Sequence, residues 1–209
     1  MTQAGIDYEP SGAWPEIPSA DVEVDFDIEW DFENRIYLWG LRVRQGQDDT
    51  TAVFDPVVSY DPIDDDDAAR LAAQLASRLG AVVADAETLG RSVTVFHWSH
   101  PERSMTSKYP EVAELLEGRT VDLRAWFDTH FLTQGGSSLK AVAPLLGFEW
   151  SVEDAGGAQS QVKIDLARPQ GPEADAARAW LARYNECDVA VQAAIRDGLR
   201  GARAGATVD

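Results

Sequence analysis

A chain of 209 residues with 44% hydrophobic residues and seven Trp is long and apolar enough for one domain with a real core, which excludes a disordered or fibrous protein. It has no apolar run of about 18 residues and no basic segment leading into an apolar stretch, so a soluble, non-exported, cytoplasmic protein is expected. Its one Cys excludes an intramolecular disulfide and any Cys-based zinc site, and the formal net charge of -18 argues against the basic footprint by which phosphate backbones are usually bound.

Residues 1–20 hold Gly, Pro and Ser without a sustained period and read as an irregular lead-in. In Val22 to Trp30 apolar residues then alternate with Glu23, Asp25, Asp27 and Glu29, the period of a half-buried strand. Its polar face is a column of acids roughly 7 Å apart, which either solvent or a divalent cation must compensate, since Mg²⁺ and Mn²⁺ favour hard carboxylate oxygens. Turns at Asp31 to Asn34 and Gln45 to Asp49 lead into strands at Arg35 to Arg44 and Thr51 to Val58, which together predict an antiparallel meander.

From Asp64 the period becomes helical, with Ala68, Leu71, Leu75 and Leu79 on one stripe, acids at the start and Gly80 as the stop. A strand is expected over Ser92 to Trp98, and a helix broken at Pro110 over Pro101 to Gly118. A short strand at Thr120 to Leu123 precedes a short helix at Arg124 to Leu132. Ser137 and Ser138 cap a helix that carries Leu139, Val142, Ala143 and Leu146 and ends at Gly147. The Gly and Pro content of residues 151–172 predicts a long loop, with an edge strand near Val162 to Leu166. A final helix runs from about Glu173 to Leu199, and residues 201–209 form a loose tail. The expected fold class is α/β: a mixed five-stranded sheet, an antiparallel three-stranded meander plus parallel strands, flanked by helices over residues 21–200.

In the last helix Trp180, Tyr184, Asp188, Val191 and Ile195 share a stripe, so Asp188 falls within an apolar face. Burying a lone carboxylate costs several kcal/mol, roughly, so it is paired with an Arg, rotated to solvent, or bound to a metal facing Asp27 and Glu29.

These residues carry a resemblance. Asp27-Ile28-Glu29 on a first strand, and Tyr184-Asn185-Glu186-Cys187-Asp188 near the end, resemble the first and the tyrosine-type third motifs of the DEDD 3′ to 5′ exonucleases, which have an RNase H-like fold. Residues 96–102 occupy the place of the second motif, with Glu102 standing for its Asp and His97 for its Asn. Val121-Asp122-Leu123, Ser138-Leu139-Lys140 and Leu146-Gly147-Phe148 are similar to the exonuclease domain of the YprB and RecB-associated type. The likeness spans about residues 22–197.

The resemblance implies phosphodiester hydrolysis in single-stranded DNA or RNA with two Mg²⁺ or Mn²⁺ ions. Asp27 would bridge the ions, Glu29 and Asp188 would be further ligands, Glu102 a fourth acting mostly through water, and Tyr184 would orient the attacking water. The substrate is then reached either alone or through a partner, a separate nuclease or helicase subunit, and no membrane is implied. Asp122 is either an outer ligand or the cap of the helix at Arg124, and Lys140 either a substrate-phosphate contact or a solvated helix residue. His97 reads either as a metal neighbour or as scaffold, and Trp39, Trp98, Trp126 and Trp150 read as core. The charge also admits another class of protein, a catalytically inactive RNase H-like module whose acidic surface recruits a partner or imitates nucleic acid.

Overall fold

The computed structural model describes residues 8–98, 100–153 and 156–206. Residues 1–7 of the expected lead-in, Ser99 of the second motif and the last three tail residues lie outside the described residues.

The chain enters through β1 (Tyr8–Pro10) and reaches the acidic strand β2 (Val22–Trp30). The meander follows as β3 (Ile36–Gln45), β4 (Asp48–Phe54) and β5 (Val57–Val58). The expected single third strand is thus two, because Pro56 has no N–H to donate to the ladder. Asp55 and Ser59, on either side of the break, still donate their backbone N–H to β3 carbonyls at 2.8 and 2.9 Å.

Helix α1 (Asp65–Thr88) begins at a capping box in which Asp64 and Asp67 each accept the other's backbone N–H. It passes through Gly80, contrary to expectation, and stops where Gly90 adopts φ 66°. A mid-helix Gly costs about 1 kcal/mol, which burial of Val83 and Ala86 on the following turns outweighs.

Strand β6 (Val93–His97) lies parallel to β2, pairing Val22 with Val93 and Asp25 with Phe96. Helices α2 (His100–Thr106) and α3 (Pro110–Leu116) separate at Pro110 as the sequence predicts, and β7 (Thr120–Asp122) runs parallel to β6. Helix α4 (Leu123–His130) leads to β8 (Phe131–Thr133), which pairs with β1. Tyr8–Pro10 of the lead-in is therefore a strand of a second, two-stranded sheet, where irregular chain is expected from its composition. Helix α5 (Leu139–Val142), capped by Ser138, passes into a 3₁₀ turn at Ala143–Leu146 and ends at Gly147 with φ 81°.

The segment read as a loop with an edge strand contains helix α6 (Gly157–Ala167). Its inward residues Ser160, Ile164 and Ala167 recur at helical spacing, a short stripe masked by the glycines before it and the prolines after it. Helix α7 (Pro172–Ala206) extends through the first six residues of the expected tail.

The main sheet has the order β4-β3-β2-β6-β7, with β5 also on β3, so the acidic strand is central and antiparallel only to β3 among its neighbours. Counting the split strand, the sheet has six strands instead of five, mixed and flanked by helices. Val22, Val24, Phe26 and Ile28 pack with Leu71, Leu75 and Leu79 of α1 in one core. A second core joins Phe96 and Trp98 to Phe127, Phe131 and the Val191, Ile195 and Leu199 stripe of α7.

The other face of β2 is covered rather than solvated. Glu23 and Asp25 are both 0% exposed. Arg44 meets Glu23 at 2.6 Å, Arg196 meets Glu23 at 2.9 Å and Asp25 at 2.6 Å, and Arg200 lies 3.3 Å from Glu23. Buried acids need such partners. The Arg196 guanidinium also lies 3.7 Å from the Phe96 ring centre. The first half of the acidic column is thereby neutralised by arginines of β3 and α7.

Candidate metal centre

The second half of the column is built differently. Asp27 and Glu29 lie toward the C-terminal end of β2, and α7 crosses the same face so that Asp188 comes down beside them. Carboxylate oxygens of Asp27, Glu29 and Asp188 all lie within 4.8 Å of one another. Glu29 and Asp188 are buried and Asp27 half-buried. In place of arginines, these acids receive neutral donors. The Asn185 amide donates to Asp27 at 2.7 Å, the Ser160 hydroxyl to Glu29 at 2.5 Å and the Trp150 indole N–H to Asp188 at 2.7 Å.

Neutral donors do not offset the charge as arginines would, and Lys140 offsets it only in part, so the acidities are raised. Burial first, then the charges of Glu29, Asp188 and Glu102, hold the Asp27 carboxyl well above the usual range. Burial pushes Glu29 up to about 8, against the Ser160 hydrogen bond and with help from Asp188. Asp188 is raised by burial in the same way. Glu29 therefore keeps its proton at neutral pH in the absence of a cation. Three hard oxygen donors with this excess of negative charge fit a Mg²⁺ or Mn²⁺ ion by donor chemistry and convergence.

The remaining residues singled out in the sequence surround this triad. Glu102, on α2, is buried and outside the 4.8 Å group, but its charge acts on both Asp27 and Glu29. Its carboxylate lies 4.0 Å from Nδ1 of His97, itself buried at the end of β6. Tyr184 is buried one turn before Asp188, and burial, then the Asp188 charge, pushes its hydroxyl up. Asp122 caps α4 by accepting the Ala125 N–H at 3.0 Å. Lys140 is half-buried, with Nζ 5.0 Å from the Tyr184 ring centre and 5.6 Å from that of Trp150.

Four residues of the arrangement were not read from the sequence. Ser160 lies in α6, where the sequence predicts a loop, and Trp150 packs against the second core as expected but also donates to Asp188. Asn185 follows Tyr184 directly, where the sequence assigns it no role, and Gly40 stands opposite Asp27 on β3. A Cβ on Gly40 would overlap the Asn185 amide, so only glycine leaves room for the side chain that holds Asp27. A polar residue next to the stripe acid and a glycine paired with the strand acid were the available signals.

Fold and site together define an RNase H-like α/β protein with a carboxylate triad able to hold a metal, an arrangement that suggests nuclease-type activity. The family description of the RNase_H superfamily matches residues 24–200, and the chain belongs to that family. No curated protein and no solved structure matches it. No helix among the described residues is long and apolar enough to cross a membrane.

Proposed function

We propose that the protein is a metal-dependent 3′ to 5′ exonuclease of the DEDD type, acting on single-stranded DNA or RNA. The observation that carries the reading is the convergence of Asp27, Glu29 and Asp188, from elements about 160 residues apart, on neutral donors and, among the described residues, without an arginine in hydrogen-bond contact. The order of the Asp-x-Glu and Tyr-x-x-x-Asp motifs along the chain supports the tyrosine type.

Two divalent ions held by this set would activate water and stabilise the leaving oxygen. Asp27, Glu29 and Asp188 would hold the ions, with Glu102 as a fourth acid beside them. Asn185, Ser160 and Trp150 hold the three carboxylates in one orientation, the usual task of groups behind a ligand shell. Tyr184 places its hydroxyl beside Asp188, where it would orient the attacking water. Single-stranded nucleic acid is the expected partner, reached alone or through a separate nuclease or helicase subunit.

The test is digestion of labelled single-stranded DNA and RNA blocked at either end, with Mg²⁺, Mn²⁺ or EDTA. Shortening from the 3′ end with metal, lost in EDTA and in Asp27→Asn, is expected. Absence of digestion under all salt conditions sinks the proposal. The net charge of -18 favours one second reading, an inactive acidic module that recruits a basic protein or imitates nucleic acid. Calorimetry separates the two, because the module has no need of a Mn²⁺ site that is lost in Asp27→Asn, Asp188→Asn.

A further inference from the structure

We propose that Tyr37 is a positioning residue of the metal centre: its buried hydroxyl backs that of Ser160, and the pair holds Glu29 in the orientation that grips a divalent cation. The inference rests on the metal-dependent reading above and deepens it by extending the support of this ligand one group beyond Ser160.

An irregularity in the sheet brings Tyr37 to the site. Strand β3 pairs with β2 residue for residue as far as Leu38 opposite Glu29, but the next pair is Ile36 with Trp30, so Tyr37 has no partner across the ladder. An extra residue of this kind is a β-bulge, which re-aims the side chain it carries. Regular alternation would send Tyr37 to the side of Trp39, whose ring centre lies 6.3 Å from that of Phe26 in the core shared with α1. At the bulge its hydroxyl comes instead within reach of the Ser160 hydroxyl and of the Glu29 and Asp27 charges. Strand β5 fixes the backbone here, because the Ser59 N–H donates to the Tyr37 carbonyl at 2.9 Å and Leu38 pairs with Val58.

The hydrogens at these groups are unevenly shared. Ser160 has a single hydroxyl proton and two acceptors in reach, the Glu29 carboxylate at 2.5 Å and the Gly157 carbonyl at 2.8 Å. Tyr37 is 1% exposed, and its hydroxyl closes no hydrogen bond. A buried hydroxyl left in this way is costly, and the Ser160 oxygen is the acceptor beside it. A carboxylate bound to a cation has no proton to give and can only accept. The Ser160 proton then belongs on Glu29, and donation from Tyr37 to the Ser160 oxygen commits it there, since hydroxyls in a chain polarise one another. A small turn of the Ser160 side chain toward Tyr37 completes the relay from Tyr37 through Ser160 to Glu29.

The test measures Mn²⁺ binding by calorimetry, and thermal unfolding in EDTA, for wild type, Tyr37→Phe, Ser160→Ala and the double variant. Tyr37→Phe removes one oxygen from a ring that keeps its packing. Its Mn²⁺ binding should weaken roughly tenfold, the lower end for a group behind a ligand shell. Its midpoint in EDTA should stay within about 2 °C of wild type, because the hydroxyl closes no bond in the metal-free fold. Ser160→Ala should weaken Mn²⁺ binding by roughly tenfold or more. The double variant should bind no more weakly than Ser160→Ala, because Tyr37 acts only through Ser160. Wild-type Mn²⁺ affinity in Tyr37→Phe, or losses that add in the double variant, overturns the proposal. A midpoint in EDTA lowered further, or failure of Tyr37→Phe to fold, overturns it as well, since the hydroxyl would then belong to the scaffold. A wild-type protein that binds no Mn²⁺ would instead remove the metal-dependent reading beneath it.

Discussion

Replacing Glu29 by Gln should stabilise the metal-free protein while removing its metal affinity, and the stabilisation should depend on pH. Burial raises the Glu29 carboxyl from 4.5 to about 8. The folded state thus keeps a proton that the unfolded chain releases between those values, and stability falls as pH climbs through that window. Displacement by that much corresponds to about 4–5 kcal/mol once the group is ionised in both states. Asp27 and Asp188 share the same repulsion, so about half, 2–3 kcal/mol, is assigned to this one side chain. A Gln amide can still accept the Ser160 hydroxyl and can donate to the neighbouring acids, so no new unpaired group offsets the gain. For a chain of this size about 2–3 kcal/mol raises the unfolding midpoint by roughly 4–12 °C. Thermal unfolding followed by circular dichroism in EDTA at pH 9 and pH 5 measures it, with little change expected at pH 5. Equal shifts at the two pH values, or a lower midpoint for the variant at pH 9, would refute the electrostatic account of the cluster.

Asp188→Asn should abolish measurable Mn²⁺ binding and lower digestion by about a hundredfold or more, read by calorimetry and single-turnover cleavage. Arg196→Met leaves Glu23 and Asp25 short of a partner in a buried setting and should cost about 3–5 kcal/mol, measured by urea unfolding. Wild-type stability in that variant would show that the remaining arginines suffice. Gly40→Ala should cost about 1–3 kcal/mol by forcing the Asn185 amide away from Asp27, and should weaken Mn²⁺ as well. If stability falls and Mn²⁺ affinity does not, Asn185 has no part in holding the ligand.

The fold was legible where one period dominated. Strand β2 alternates without interruption, and α7 carries a stripe long enough to place Tyr184 and Asp188 on one side. Short or glycine-flanked elements were not. Helix α6 shows only three inward residues, and β1 is held by pairing with β8 over a hundred residues away, which no local pattern encodes. At the site, the acids declared themselves by sitting where apolar packing or a like-charged column made them costly. Their supporting donors did not, because Ser160, Asn185 and Trp150 are ordinary residues until folding brings each to one acid. The same holds for the division of the acidic column: nothing in Val22 to Trp30 distinguishes Asp25 from Asp27. What distinguishes them is that α7 brings Arg196 to one and Asn185 to the other.

That helix has a mechanical consequence. Along one unbroken rod, Asn185 and Asp188 reach the triad, the Gln192 amide grips the Phe26 carbonyl at 3.0 Å, and Arg196 and Arg200 lock onto the buried acids below. The rod is riveted at both ends of the strand it crosses, so the gap between the carboxylates is set by the whole length of the joint. Widening that gap requires lifting the helix from the sheet, which ties the spacing of the ligands to the global unfolding of the domain rather than to local breathing.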